Sequence, residues 1–211
     1  MNILLMGPQG SGKGTQAAKI CEEFGFFYFE SGSYLRRIAE TDPWLKDWLN
    51  TGKLVPDKEL TSYLSAFLDK NNLYDDIVFD GFPRTVVQYH FWKDWLKDKG
   101  VSLDLVFVLK ISSEETVRRL SARRQDPENG KIYNLITDPP PADINVSTLI
   151  QREDDKPEAI KVRLAYYHNI TEPLIAELKK DTKVVEVDGE RPIDAISKDL
   201  IEIIKENGHK N

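Results

Sequence analysis

Lys13 and Thr15 stand where their side chains could handle a phosphate. They end the run Gly7-Pro8-Gln9-Gly10-Ser11-Gly12-Lys13-Gly14-Thr15, which follows the apolar stretch Ile3-Leu4-Leu5-Met6 and precedes a helical one. Glycines let a backbone curl around an anion and aim its N–H groups inward, where side chains would obstruct the approach. A helix start behind the loop adds a partial positive charge. Lys13 would place a full charge against the β- and γ-phosphates of a nucleotide, and Thr15 offers a hydroxyl for Mg²⁺. Gly10, Ser11, Gly12 and Gly14 form the rest of the cradle. The flanks favour a P-loop over a plain glycine turn, although Gly14 stands where the general motif has Ser or Thr.

The second chemical segment is Asp80-Gly81-Phe82-Pro83-Arg84-Thr85, which follows the apolar Ile77-Val78-Phe79. In open α/β sheets ligands bind beyond the carboxyl ends of the strands, so this segment is expected to share a crevice with the P-loop. Asp80 suits Mg²⁺, held directly or through water, and equally suits a turn. Arg84 carries the planar fork that matches phosphate, but a lone arginine after a turn is often a solvated surface residue.

The elements that must position these groups are legible as alternation. Ile3–Met6, Phe26–Phe29, Ile77–Phe79, Leu105–Leu109 and Val184–Val187 read as strands, apolar at nearly every position as in parallel sheets covered on both faces. Thr85-x-x-Gln88, Ser112-x-x-Glu115 and Asp155-x-x-Glu158 have capping-box or related spacing for intervening helices, with Pro157 in a first turn. The expected fold is α/β, a P-loop NTPase fold with a five-stranded parallel sheet flanked by helices. Two stretches interrupt the alternation. Residues 30–56 hold helix-like pieces such as Trp44–Leu49, and residues 122–155 are polar and proline-rich, with enough apolar side chains for a small folded insert. The core is then expected over 1–29, 57–121 and 156–211.

Composition narrows the classes. A net charge of −6 argues against a protein that binds nucleic acid by bulk attraction, though local arginines can still hold an anion. No apolar run nears the ~20 residues of a membrane span, and the first residues lack the basic leader of a signal peptide. The single cysteine, Cys21, permits no internal disulfide and fits a reducing, cytoplasmic setting.

Asp-Gly-Phe-Pro-Arg-Thr with Gln88 four residues beyond Arg84, together with the loop at Gly7–Thr15 in its Gly-Lys-Gly-Thr form, resembles the adenylate kinase family of nucleoside monophosphate kinases. The resemblance extends through Ser31-Gly32-Ser33-Tyr34-Leu35-Arg36, Gly52-Lys53-Leu54-Val55, Arg119 to Arg124, Lys131-Ile132-Tyr133, Arg152, Arg163 and Val187 to Pro192. It implies ATP and AMP as substrates, ADP as product and Mg²⁺ as cofactor, in a monomer with a monophosphate-binding insert at 30–56 and a lid at 122–155. By this resemblance Ser31, Arg36, Lys53, Leu54, Val55, Gly81, Phe82, Pro83, Arg84, Gln88, Arg152 and Arg163 serve AMP. Gly10 to Thr15, Arg119, Arg123, Ile132, Tyr133 and the backbone near Arg191 serve ATP. Lys13, Arg84, Arg119, Arg123, Arg152 and Arg163 are the expected catalytic set.

Several positions have a second reading. Gln88 also fits a capping box, Ser31 a helix cap, Tyr133 packing within the lid, and Arg119 with Arg123 a solvated helix stripe. The family commonly has Thr-Gly-Asp where this chain has Ser31-Gly32-Ser33, so a carboxylate is lost at Ser33. Some relatives carry a zinc-binding cysteine cluster in the lid, but residues 125–155 contain no Cys and no His. The chemistry implied needs no general base, because a phosphate monoester with a second pKa near ~6 is mostly dianionic at neutral pH. His90, His168 and His209 match no catalytic role. The rivals are a UMP/CMP-type kinase, which tends to have a shorter lid, a kinase of a non-nucleotide acceptor, and a nucleotide-sensing P-loop protein without phosphotransfer.

Overall fold

The computed structural model describes residues 1–50 and 55–208. Strands β1 (Asn2–Met6), β2 (Phe27–Glu30), β3 (Ile77–Asp80), β4 (Leu105–Lys110) and a later strand, Lys183–Asp188, form one parallel sheet. That last strand is β7, because β5 (Arg123–Gln125) and β6 (Ile132–Asn134) form a separate antiparallel pair. The order in the large sheet is β2-β3-β1-β4-β7, so β1 is central and the chain crosses from one side of it to the other between β3 and β4. Such a reversal opens a crevice at the strands' carboxyl ends. The expected α/β fold with five parallel strands is what forms.

The apolar strands are two-sided, as their composition requires. On β1, Ile3 and Leu5 pack with Ala17, Ile20, Ile196, Leu200 and Ile204, which lie on α1 (Lys13–Phe24) and α9 (Ile193–Glu206). Leu4 and Met6 face the opposite cluster with Leu64, Leu68, Tyr89, Trp92, Leu174 and Leu178. These belong to α4 (Asp57–Lys70), α5 (Val86–Asp98) and α8 (Glu172–Asp181). Successive side chains on a strand alternate faces, so one short run supplies both cores. Full burial of an aliphatic side chain contributes about 1.5–3 kcal/mol, and Ile3, Leu4, Val78, Val106 and Phe107 are each fully buried.

Other elements bear on the crevice. Within 30–56 lie α2 (Ser31–Ala39) and α3 (Pro43–Asn50), and within 122–155 lie β5, β6 and two short 3₁₀ turns. A long helix returns from there as α7 (Pro157–Tyr166), passes through a π-helical turn at Tyr167–Thr171 and continues as α8. Pro173 explains that turn. It offers no N–H to a carbonyl four residues back, and its ring would crowd that carbonyl. α6 (Ser113–Ala122) links β4 to β5. No helix among the described residues is long and apolar enough to cross a membrane.

Three capping expectations are partly corrected. Thr85 and Ser112 are N-caps, accepting from the N–H of Gln88 (3.0 Å) and Glu115 (3.2 Å). Their partners' side chains do not reach back to the cap N–H, however. Gln88 Oε1 accepts from Arg84 N at 2.7 Å, and Glu115 pairs with Arg118 and Arg119. At the third site Lys156 is the N-cap and Pro157 the first helical residue, while Asp155 lies buried in ion pairs. Ser31 likewise is not a cap, because Glu30 holds that position on α2. Charge-assisted hydrogen bonds are roughly twice as strong as neutral ones, so a nearby guanidinium outcompetes a cap N–H for a carboxylate.

Candidate active site

The phosphate cradle is built by the end of β1 and the start of α1. Gly7 has φ +142°, and a Cβ there would lie 2.4 Å from the Leu109 carbonyl oxygen, so the loop can pass β4 only with glycine. Gly10 and Gly12 are also left-handed, with Gly12 the N-cap of α1. Lys13 opens the helix, and its Nζ donates to the carbonyls of Gly7 and Pro8, both at 2.9 Å. Gly14 and Thr15 follow on the first turn, half-buried. Ser11 is 2% exposed, and its Oγ, like Gln9 Oε1, is buried without a hydrogen-bond partner. Buried polar groups are nearly always paired, so the orphaned Ser11 hydroxyl fits a loop made for an anion.

Asp80 stands beside this loop because β3 pairs with β1, placing Asp80 opposite Leu5, and β2 places Glu30 opposite Asp80. The Tyr28 hydroxyl donates to Asp80 Oδ2 at 3.1 Å. Desolvation pushes the Asp80 carboxyl up, with the Lys13 charge opposing and Glu30 adding to the rise. Desolvation also brings the Lys13 ammonium down to about 8. Asp80 counters that shift, while Arg84, Arg163 and Arg123 reinforce it. The exposed area of Lys13 remains intermediate, so this burial belongs to the ammonium end under the loop more than to the whole residue. The charges of all three arginines are therefore felt at the lysine.

Arg84 is fixed by its own turn, with Nε donating to Gly81 O at 2.7 Å. Its guanidinium is pushed down by desolvation, which Asp80 and Glu30 oppose. Gln88 is fully buried, and its Nε2 donates to Asp57 Oδ1 at 2.8 Å. Asp57 also accepts from Thr85 Oγ1 at 3.2 Å, tying the start of α4 to the start of α5.

The remaining arginines arrive from the other side of the crevice. Arg119 on α6 donates to Glu115 (2.6 Å), to the Gly10 carbonyl (3.3 Å) and to the Gly189 carbonyl (2.9 Å), bracing the P-loop against the turn after β7. Hydrogen bonds from Arg118 and Arg119 hold the Glu115 carboxyl near 2. Arg123 is not on the helix face with Arg119, as its spacing suggested. α6 ends at Ala122 and Arg123 is extended, opening β5. There it meets Asp155 through two bonds of 2.7 and 2.5 Å. Arg163 on α7 reaches Asp155 at 3.4 Å and Asp154 at 3.0 Å, and Arg152 reaches Asp154 at 3.1 Å. Desolvation takes Arg163 down to about 10 and lowers Arg152. Desolvation works against ionised Asp154, but the Arg163 and Arg152 charges outweigh it and hold that carboxyl below its usual range.

Placement of the other expected residues is uneven. Ser31 is buried, at the first turn of α2, with its Oγ against Gly81. Arg36 is exposed and bonded to Ser33 Oγ at 3.0 Å. Val55, Phe82 and Pro83 are buried, with Phe82 edge-on to Trp92, so their side chains face the core. Lys53 and Leu54 lie outside the described residues. Tyr133 is buried with the Lys131 ammonium 5.1 Å from its ring centre, whereas its neighbour Ile132 is exposed. The Arg191 side chain is engaged by Asp199 at 2.7 Å. His90 and His168 face acidic neighbours, Glu177 and Glu172, and neither joins the arginine cluster. Spacing did not single out the carboxylates Glu30, Asp57, Asp154 and Asp155 as parts of this site; for Asp154 and Asp155 the run of acidic residues directly after Arg152 was the available signal.

Comparison with known proteins identifies relatives along nearly the whole chain. A family model described as adenylate kinase matches residues 5–183. The chain is 35% identical to an adenylate kinase of Petrotoga mobilis over 213 aligned residues, covering 97% of this chain and 98% of that protein. It is 36% identical to one of Pyrococcus furiosus, over 93% of this chain and 92% of that protein. A third, of Chloroherpeton thalassium, is 36% identical with 97% and 98% covered. A phosphate loop, a facing arginine cluster and relatives matched across nearly their whole length lead to one conclusion: this chain belongs to the adenylate kinase family.

Proposed function

We propose that the chain performs its family's reaction, reversible transfer of a phosphoryl group from ATP to AMP giving two ADP, with the residue roles set out here. The observation that carries the roles is a lysine whose ammonium is held by the carbonyls of Gly7 and Pro8, within the field of Arg84, Arg123 and Arg163, in a loop whose Ser11 hydroxyl is buried and unpaired. Lys13 and the backbone of Gly10 to Thr15 hold the donor phosphates, with Arg119 and Arg123 beside them. Arg36 and Arg84 take the acceptor phosphate, while Ser31, Gln88 and the backbone of Val55, Gly81, Phe82 and Pro83 wall the acceptor side. Arg152 and Arg163, held by Asp154 and Asp155, neutralise charge between the two nucleotides.

In the transfer, an AMP phosphate oxygen forms a bond to the γ-phosphorus, and the bond from that phosphorus to the β,γ-bridging oxygen breaks. Attack is by an oxygen that is already anionic, so no side chain accepts a proton. Catalysis consists of holding the two anions in line and offsetting their repulsion in a site that excludes water. The donor set also fits Mg²⁺. Asp80 is a buried carboxylate pushed toward its neutral form, which a nearby divalent cation would reverse. Thr15 and Asp80 would hold the ion directly or through water, where it would offset charge on the donor phosphates. Among the described residues no group of three His, Cys, Asp or Glu could cage a metal. That suits an ion bound mostly by phosphate and water.

A lone half-buried cysteine supports a cytoplasmic enzyme, and a monomer is what the family resemblance implies. The decisive experiment is a coupled assay of ATP with AMP, UMP, CMP and GMP. AMP should be the preferred acceptor, and preference for another monophosphate would overturn the assignment.

A further inference from the structure

Glu30 stands among the groups assigned to the acceptor phosphate, where a carboxylate is out of place. It is the N-cap of α2, yet its side chain caps no backbone N–H. Instead Oε2 accepts from Ser33 Oγ at 2.6 Å, and Oε1 lies 3.5 Å from Arg36 Nη2, which also donates to Ser33 Oγ at 3.0 Å. The pair packs closely over Gly32, where a Cβ would lie 3.3 Å from Arg36 Nη1 and 3.6 Å from Glu30 Oε1. The parallel pairing of β2 with β3 sets Glu30 abreast of Asp80, with both side chains on one face of the sheet. The field of Glu30 extends past Arg36. Desolvation is the largest influence on both Arg84 and Asp80, but Glu30 is among the charges that stabilise the Arg84 cation and disfavour the Asp80 anion.

We propose that Glu30 is an internal counter-ion of the acceptor-phosphate site, occupying the Arg36 end through Ser33 and weakening the hold on the monophosphate. An incoming phosphate dianion takes over Arg36 and Arg84 against the repulsion of this carboxylate. The Glu30–Ser33 pair thereby sets acceptor affinity, and the serine matters because it bridges carboxylate to guanidinium without adding a second charge. Glu is not among the favoured N-cap residues, so helix capping does not account for its presence.

This inference rests on the proposed assignment of Arg36 and Arg84 to the AMP phosphate, and the test separates the two. Equilibrium binding of AMP and of adenosine is measured for the native chain and for Glu30→Gln, Ser33→Asp and Arg84→Ala, with KM for ATP alongside. Glu30→Gln should tighten AMP about two- to fivefold, the size of one solvent-screened charge interaction, and leave adenosine and ATP unchanged. Ser33→Asp, which adds a carboxylate, should weaken AMP by a similar factor. If Glu30→Gln weakens AMP or leaves it unaltered while Arg84→Ala weakens it, the counter-ion role is wrong and the phosphate assignment stands. If Arg84→Ala leaves AMP binding intact, the assignment itself fails.

Discussion

Lys13 illustrates how one residue's environment becomes a measurable property. Desolvation takes its ammonium from an ordinary 10.5 to about 8, so the folded chain releases this proton more readily than the unfolded chain does. Between about 8 and 10.5 the unfolded state binds the extra proton, and stability rises with pH across that window. Below about 8 both states are protonated, and the full cost of burying the charge is present. Urea midpoints at pH 7.5 and 9.5 should therefore show a rise in the native chain that is smaller in Lys13→Met. The same deprotonation removes the charge meant for the donor phosphates, so kcat/KM for ATP should fall as pH passes about 8; a profile flat to pH 9.5 would contradict it. Lys13→Met should lose activity while its circular dichroism stays that of the folded chain. Arg84→Ala should raise KM for AMP far more than KM for ATP, and equal changes in both would contradict its placement on the acceptor side.

At the scale of elements, the junction of β5 with α7 is held by charge. Asp155 is buried and accepts from Arg123 and Arg163, fastening the strand that leaves α6 to the helix that returns to the core. Removing one partner of a buried pair leaves an uncompensated charge, typically costing about 3–5 kcal/mol. Asp155→Ala should accordingly lower the urea midpoint sharply and reduce kcat, because Arg123 and Arg163 both lose their anchor. A variant as stable as the native chain would show that the ion pair contributes nothing net. The capping expectations show why such a junction is hard to read from spacing. Spacing found Asp155 three residues before Glu158 and implied a cap, whereas the folded chain brings Arg123 and Arg163 to it from two different elements.

For the whole molecule, the arrangement separates a braced centre from its surroundings. Arg119 ties the P-loop to the turn after β7, and Asp57 ties α4 to α5. The β5–β6 pair is joined to residues before and after it by Gln125 with Ile150 and by Asn134 with the Arg119 carbonyl. We propose that residues 122–155 close as a lid over both substrates and that their opening limits turnover, since an uncovered γ-phosphate would be lost to water. Turnover should then fall as solvent viscosity rises. A viscosity-independent rate with slow single-turnover chemistry would count against it.

The fold and the phosphate loop were legible because each depends on near neighbours in the chain. A strand between two helical layers must be apolar at successive positions, as Ile3 to Met6 are, and a loop around an anion must be glycine-rich where its backbone turns inward. The carboxylates that govern the arginines were not legible, since Glu30, Asp154 and Asp155 act on partners through space, several of them on other elements. Residue order was enough to specify five parallel strands, a phosphate cradle and a supply of arginines. Tertiary structure alone decided which carboxylate holds which arginine, and how far burial moves the charge on Lys13, because Coulomb interactions and desolvation depend on distance and enclosure rather than on order in the chain.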